Sequence, residues 1–339
     1  MSAAVQFYVS TLLIYAGVNI MACWALNIQF GMAGIVNLAF IMFQAAGAYT
    51  AGVLTLGTMA SHGNYEHYIA GMELPFPVPV LAAAIVGAAL AALVGVIVLR
   101  RLRTDFQAIV LLVVSLIATD VATNEVNLFN GSAGLSLIPQ PLINIADTTL
   151  TWQWLYVGYT FVACGLVYVL VHLLTVSPLG RALRAVRDNE ASAAALGKNV
   201  FALRMIAMVV GGAIAAVSGA VLVQFIGIWA PGSWFYGETL VFLAALIVGG
   251  TGNNLGAAFG AVLVPVIFAE ATRFIPYVGR PGFIDAVQWI VLGLLILGFL
   301  WFRPQGVFPE RRRRFSQIGN PVRAWVLRRR DPKTAEFTA

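Results

Sequence analysis

Chemistry needs groups that titrate, ligate or attack, and this sequence holds few of them. His62, His67 and His172 offer no pair at helical spacing, and no HExxH occurs, so the usual zinc-hydrolase signature is missing. His62 and His67 share a stretch with Glu66 and Glu73, which reads as a solvated loop more simply than as a surface metal site. Cys23 and Cys164 lie inside apolar runs without a CxxC neighbour and read as small buried hydrophobes. A P-loop needs GxxxxGK[ST], because successive backbone N–H groups must wrap the phosphates and the lysine must reach them. The one GK, Gly197-Lys198, is followed by Asn199 and lacks the earlier glycine. No catalytic set, no metal and no bound cofactor is expected, and ATP hydrolysis is not expected on this chain.

Four carboxylates remain inside apolar stretches: Asp120, Glu125, Glu270 and Asp285. Ionisable groups at membrane depth are expensive and point to a proton relay or a substrate contact. Glu125 and Asp285 fall near span ends, and Glu270 is one short turn from Arg273, a spacing that allows pairing. Asp120 is the deepest and is a candidate for the pathway, together with the polar residues Asn37, Gln44, Asn253 and Asn254. Each of these amides reads at least as readily as an interhelical hydrogen-bonding group.

The elements that position such groups follow from composition. The 339 residues are 60% hydrophobic and 10% charged, with a mean hydropathy of +0.87, whereas soluble domains are about half apolar and a quarter charged. One polytopic all-α membrane domain is expected. The net charge of +6 does not point to nucleic acid, because no Lys or Arg occurs before Arg100 and the rest fall in short clusters. The first residues lack a basic n-region, so the opening apolar run reads as a retained first helix rather than a signal peptide.

Spans of about 20 apolar residues are expected near 4–26, 76–99, 106–124, 152–174, 201–225 and 283–302. Two further apolar regions, from Gly31 and from Glu238, are broken by small and polar residues, each reading as one long helix or two short ones. The total expected is eight to ten segments, some broken or short. The sequence GGTGNN in the second region cannot stay as lipid-exposed irregular backbone, and interrupted helices often flank a transport pathway. Gly87-Ala91-Gly95, Gly211-Ala215-Gly219 and Gly252-Gly256-Gly260 are small-residue faces suited to close packing within the chain.

Basic residues set the orientation. Arg100, Arg101 and Arg103, the five from Arg181 to Arg204, and Arg303 with the tail clusters Arg311 to Arg314 and Arg328 to Arg330 are placed in the cytoplasm. Of the 20 basic residues, only Arg273 and Arg280 then fall outside, with the N-terminus outside and the C-terminus inside. Residues 1–308 read as the transmembrane domain, with a cytoplasmic loop at 177–200, and 309–339 as an Arg-rich cytoplasmic tail suited to anionic headgroups.

That loop, SPLGRALRAVRDNEASAAALGKN, is the longest polar stretch with membrane on both sides. Ser177 then Pro178 reads as N-cap and N1, and Gly197 as the residue that ends a helix. Leu179, Leu183 and Val186 share one helical face and Arg181, Arg184 and Arg187 another. The pattern predicts an amphipathic helix, a break near Asp188-Asn189, and a small-residue helix to Leu196. Periodicity alone leaves an interfacial helix and a docking helix both open.

The loop closely resembles that of the LivM-type permease subunits of branched-chain amino acid ABC importers. GMAGIVNLA and GAYTAG, RLRTDFQAIV, NGSAGL, LIVGGTGNNLGAAFGAVL and GLLILGFLWFRPQGVF resemble the same family in the same order, covering most of the chain outside the tail. The resemblance implies an importer fold related to the ten-helix class, a second homologous permease, two ABC ATPase subunits that use the ATP, a periplasmic substrate-binding protein and surrounding lipid. It also implies that the loop is a coupling helix seated on an ATPase, with Gly180, Arg181, Arg184, Arg187, Asp188, Glu190, Ala194 and Gly197 making or shaping the contact. Charge reversal at Arg184 or Glu190 is then expected to uncouple transport without disturbing insertion. The sequence departs from the family where Phe40 replaces a usual histidine and where Leu111, Leu116 and Thr119 replace polar residues. Branched-chain amino acids are the expected cargo, with urea, short amides and other small organic acids as alternatives. An ion-coupled secondary transporter using Asp120, or an intramembrane enzyme, are the competing classes.

Overall fold

In hydrocarbon no water bonds to backbone N–H and C=O groups, so a chain this apolar must satisfy them within helices. The computed structural model describes residues 3–58, 67–146, 148–273, 283–303 and 305–310, with backbone alone at 104, 105, 272, 273 and 283–285. The tail arginines from Arg311 on, Arg280, His62 and Glu66, and the side chains of Arg273 and Asp285, lie outside the described residues.

In chain order the helices are α1 (Ala3–Leu26), α2 (Phe40–Leu56), α3 (Val78–Arg101), α4 (Thr104–Asn124), α5 (Val126–Phe129), α6 (Thr149–Val176), α7 (Pro178–Asp188), α8 (Glu190–Ala195), α9 (Val200–Ile226), α10 (Tyr236–Gly249), α11 (Asn254–Val262), α12 (Ala269–Arg273) and α13 (Phe283–Phe302). Two π-helical turns, Asn27–Met32 and Leu263–Phe268, continue α1 and α11. Among the described residues there is no strand, only the isolated bridges Tyr68–Phe129 and Leu135–Trp229. Seven helical stretches are long and apolar enough to cross a bilayer, and the apolar stretches Phe40–Leu56 and Ala286–Phe302 are shorter. The protein is an all-α polytopic membrane protein.

The helices turn small residues inward and large ones outward. On α3, Leu81, Ile85, Leu93 and Ile97 are exposed, while Ala83, Gly87, Ala91 and Gly95 are buried. With lipid as apolar as leucine, what holds helices together is close van der Waals packing between small residues. The core forms where α9 meets α1, α2 and α3. A Cβ on Gly47 would overlap the backbone of Ala216, one on Gly219 the Gln44 carbonyl, and one on Gly212 the Ala91 side chain. The small-residue faces of α3 and α9 are thus spent within the chain.

The two broken regions resolve differently. Between Met32 and α2 the chain is non-helical, and Ile35, Asn37 and Ala39 are buried while Gly34, Val36 and Leu38 are less so. The passage is irregular, with turns at Ala33 and at Leu38-Ala39 and no regular structure at 34–37. It starts beside Arg187, against which Gly34 packs, and leads into the first turn of α2, where the Ile41 N–H donates to Thr239 Oγ1 at 3.2 Å. The second break is a tight turn: α10 and α11 pack antiparallel, with Gly249 against the Gly256 carbonyl and Gly260 against the Ala245 carbonyl. Gly250 (φ 121°) and Gly252 (φ 80°) take conformations that L side chains rarely adopt. The last carbonyls of α10 are satisfied by the chain after α13, Val307 N–H to Val248 at 2.8 Å and Phe308 N–H to Gly249 at 3.0 Å.

Candidate functional site

The polar loop between α6 and α9 is the most ordered irregularity of the sequence. Three side-chain caps start its helices: Ser177 accepts from Gly180 N, Asn189 from Ser192 N and Asn199 from Ala202 N, at 3.3, 2.9 and 3.0 Å. At the end of α8, Gly197 N bonds to Ala194 O and Lys198 N to Ala193 O, with Gly197 at φ 76°. This is the paired 5→2 and 6→1 pattern that stops a helix at a left-handed residue. The expected helix, break and second helix are therefore all present, α7 ending at Asp188 and α8 running Glu190–Ala195.

The apolar face of α7, Gly180, Leu183 and Val186, is buried against the bundle. Gly180 lies so close to the carbonyls of Leu174 and Thr175 that no Cβ fits. The three arginines divide. Arg181 is exposed. Arg184 Nη2 donates to the Thr175 carbonyl at 3.2 Å, and Arg187 Nη1 donates to the Gly31 carbonyl while its other nitrogens pair with Asp188. Glu190 pairs with Arg204 on α9 at 3.1 Å; the arginine side chain is 8% exposed and the glutamate 48%. Arg184, Arg187 and Glu190 thus hold the loop to the bundle, and Arg181, Asp188 (66% exposed), Ala194 and Leu196 form its open side. Charge reversal at Arg184 or Glu190 would disturb that attachment as well as any partner. Arg204 and Thr175 were not singled out by sequence, where a lone arginine entering a span and a threonine leaving one are the only signals.

The polar candidates within the bundle are mostly engaged. Asn37 donates to Gln29 Oε1 at 2.8 Å and accepts from Ala39 N at 3.0 Å, and Gln29 donates to the Met208 carbonyl at 3.1 Å. Gln44 is buried at the contact of α2 with α9. Asn253 caps α11 through Leu255 N at 3.0 Å and donates to the carbonyls of Phe308 and Pro309 at 3.3 and 3.2 Å. Asn254 donates to Thr175 Oγ1 at 3.0 Å and accepts from Asn27 Nδ2 at 3.1 Å. Asp120 sits on the exposed face of α4 with Ile117 and Val121. Glu270 accepts from the Tyr8 hydroxyl at 2.9 Å. Phe40 packs edge-to-face on Phe242, centroids 5.6 Å apart, Leu111 is buried, Leu116 is exposed, and Thr119 donates to the Ser115 carbonyl. Both cysteines are free and buried. Among the described residues no group of three or more His, Cys, Asp or Glu is placed to hold a metal.

A helical bundle with an irregular buried passage and a capped polar loop fixed to its helix ends defines a multi-pass membrane protein. Residues 8–300 match the family described as "Branched-chain amino acid transport system / permease component", and the chain belongs to that family. It is 28% identical over 326 residues to the probable branched-chain amino acid transport permease protein LivM of Methanocaldococcus jannaschii, covering 89% of this chain and 94% of the relative. It is 28% identical over 309 residues to the high-affinity permease protein LivM of Escherichia coli (strain K12), covering 85% and 67%. It is also 30% identical over 154 residues to the permease protein LivH of Salmonella typhimurium, covering 45% and 47%. No solved structure matches the chain.

Proposed function

We propose that the chain is the membrane-spanning permease subunit of an ATP-driven importer that carries branched-chain amino acids into the cytoplasm across a bacterial inner membrane. The observation that carries this reading is the α7–α8 loop. It is capped at every helix start, fixed to the bundle by Arg184, Arg187 and the Glu190–Arg204 pair, and open on the side of Arg181, Asp188 and Leu196. A rigid rod attached on one side and bare on the other transmits a push, and a packed bundle with two arrangements converts that push into a change of access. ATP binding and hydrolysis lie on two separate ABC ATPase subunits that receive this open side. Gly180, Ala194 and Gly197 shape the contact through close packing, a small surface and a turn.

Similarity to both LivM and LivH supports a second, related permease as partner, and the relatives' names support the cargo. A periplasmic binding protein delivers the amino acid. Basic clusters at Arg100–Arg103 and in the loop support a cytoplasmic loop, an outer N-terminus and an inner C-terminus, with residues 309–339 as a cytoplasmic tail on anionic headgroups. The test is purification of the tagged chain from native membranes in gentle detergent. Two P-loop ATPases and a second polytopic subunit are expected to accompany it; a chain that stays alone while transporting after ATP depletion would sink the reading.

A further inference from the structure

The loop does more than lie against the bundle, because its two inward arginines end on two sides of one polar cluster. Arg184 donates to the carbonyl of Thr175, the last turn of α6. The Thr175 hydroxyl accepts from Asn254 Nδ2 at 3.0 Å and donates to the Val171 carbonyl at 2.7 Å. Asn254, the first residue of α11, accepts from Asn27 Nδ2 at 3.1 Å through its side chain and from Trp24 Nε1 at 2.8 Å through its carbonyl. Asn27 Oδ1 then accepts from Gly252 N, inside the α10–α11 turn, at 2.8 Å. Arg187 reaches the other side of the same structure, donating to the carbonyl of Gly31 in the π-helical turn that begins at Asn27. A Cβ on Gly31 would overlap Asn27 Oδ1, so the turn and the amide are in direct contact.

We propose that Asn27, Thr175 and Asn254 form a polar joint that transmits movement of α7 to the π-helical end of α1 and to the α10–α11 hairpin, acting as positioning residues for transport. The proposal rests on the reading of the loop as the ATPase-docking element. Apolar contacts slide at little cost, whereas directed hydrogen bonds between helix ends fix their relative position and register. Three helix ends, of α6, α1 and α11, and one turn, between α10 and α11, meet at this joint, and two arginines of one rigid helix hold it from both sides. The π-helical turn Asn27–Met32 at this joint is of a kind that recurs at functional sites. Beyond it the chain enters the irregular passage 33–39, with Gly34 resting on Arg187 and Asn37 tied to Gln29 of the same turn. A shift of α7 therefore reaches the irregular backbone in the bundle through hydrogen bonds and close contacts.

The experiment uses the assembled importer in proteoliposomes, with both permeases, both ATPases and the binding protein, and radiolabelled leucine as the probe. Uptake and ATP hydrolysis are measured together. Thr175→Val keeps shape and removes the hydroxyl, Thr175→Ser keeps the hydroxyl, and Asn254→Ala removes both side-chain bonds. Thr175→Val and Asn254→Ala are expected to lower leucine moved per ATP hydrolysed by roughly tenfold, within the range of coupling between sites, with Thr175→Ser close to the unmodified chain. A purely structural role lowers uptake and hydrolysis together and leaves the ratio unchanged, and an unchanged ratio in Thr175→Val overturns the joint. Should Asn254→Ala fail to assemble, the isosteric threonine pair decides. Absence of ATP-driven uptake in the unmodified complex overturns the importer reading itself, a result distinct from a normal ratio in the variants.

Discussion

Replacing Gly219 or Gly47 by alanine tests the packing that holds the bundle. At Gly219 the added methyl would overlap the Gln44 carbonyl oxygen, and at Gly47 the backbone of Ala216. Both obstacles are backbone, so α2 and α9 must separate rather than a side chain rotate. Gly158 and Gly165 on α6 are the controls, because a Cβ there meets nothing within 4 Å. All four substitutions gain the helix preference of alanine over glycine, about 0.5–1 kcal/mol. That gain cancels in the comparison and leaves the overlap alone, about 1–3 kcal/mol for an overfilled core. Denaturant unfolding in detergent micelles, followed by far-ultraviolet circular dichroism and tryptophan fluorescence, reads the difference. If Gly219→Ala and Gly47→Ala match the two controls to within about 0.5 kcal/mol, α2 and α9 are not packed backbone to backbone and the core described here is wrong.

Gly197→Ala meets no atom but forces alanine to φ 76°, so it should weaken the end of α8 by about 1–2 kcal/mol and speed hydrogen exchange at Lys198 without altering the bundle. Ser177→Ala removes the cap of α7 and should loosen that helix by about 1 kcal/mol, seen as faster limited proteolysis in the loop. Glu190→Gln should destabilise more than Arg204→Met, because the first strands a largely buried guanidinium and the second removes it; equal losses would place the pair's weight elsewhere. Arg181→Glu reverses charge only on the open side of α7. This variant should melt like the unmodified chain yet lose its ATPases on purification, and retained ATPases would remove that side from the docking surface.

Much of this was readable from residue order because the decisive signals are local. Ser177-Pro178, the Asp188-Asn189 break and Gly197 each mark a helix boundary through their own backbone preference, and the loop folds as those residues dictate. The small-residue faces of α3 and α9 were legible for the same reason, since small residues at four-residue spacing allow backbones to touch, whereas Gly252, expected on one face with Gly256 and Gly260, lies in the turn before α11 at φ 80°. The irregular passage 33–39 was not. Ile35, Val36, Leu38 and Phe40 are as apolar as any helix in the chain, and only Gly34, at φ 71°, marks the departure. Nor could sequence assign the partners of the polar residues. Asn253 and Asn254 read alike, yet one caps its own helix and the other bridges to α1 and α6, a division that depends on which helices come together. The arginines of α7 present the same difficulty: one helical face is predicted for three side chains, and the neighbouring helix ends draw two of them inward.

The central claim is that this permease moves its cargo on ATP hydrolysed by other subunits. The most direct measurement is leucine uptake into proteoliposomes holding the complete assembly, with ATP supplied or withheld and with ionophores collapsing every ion gradient. Uptake is expected to require ATP and to survive the ionophores. Uptake that continues without ATP and stops when an ion gradient is collapsed would contradict the claim, and would move attention from the α7–α8 loop to Asp120.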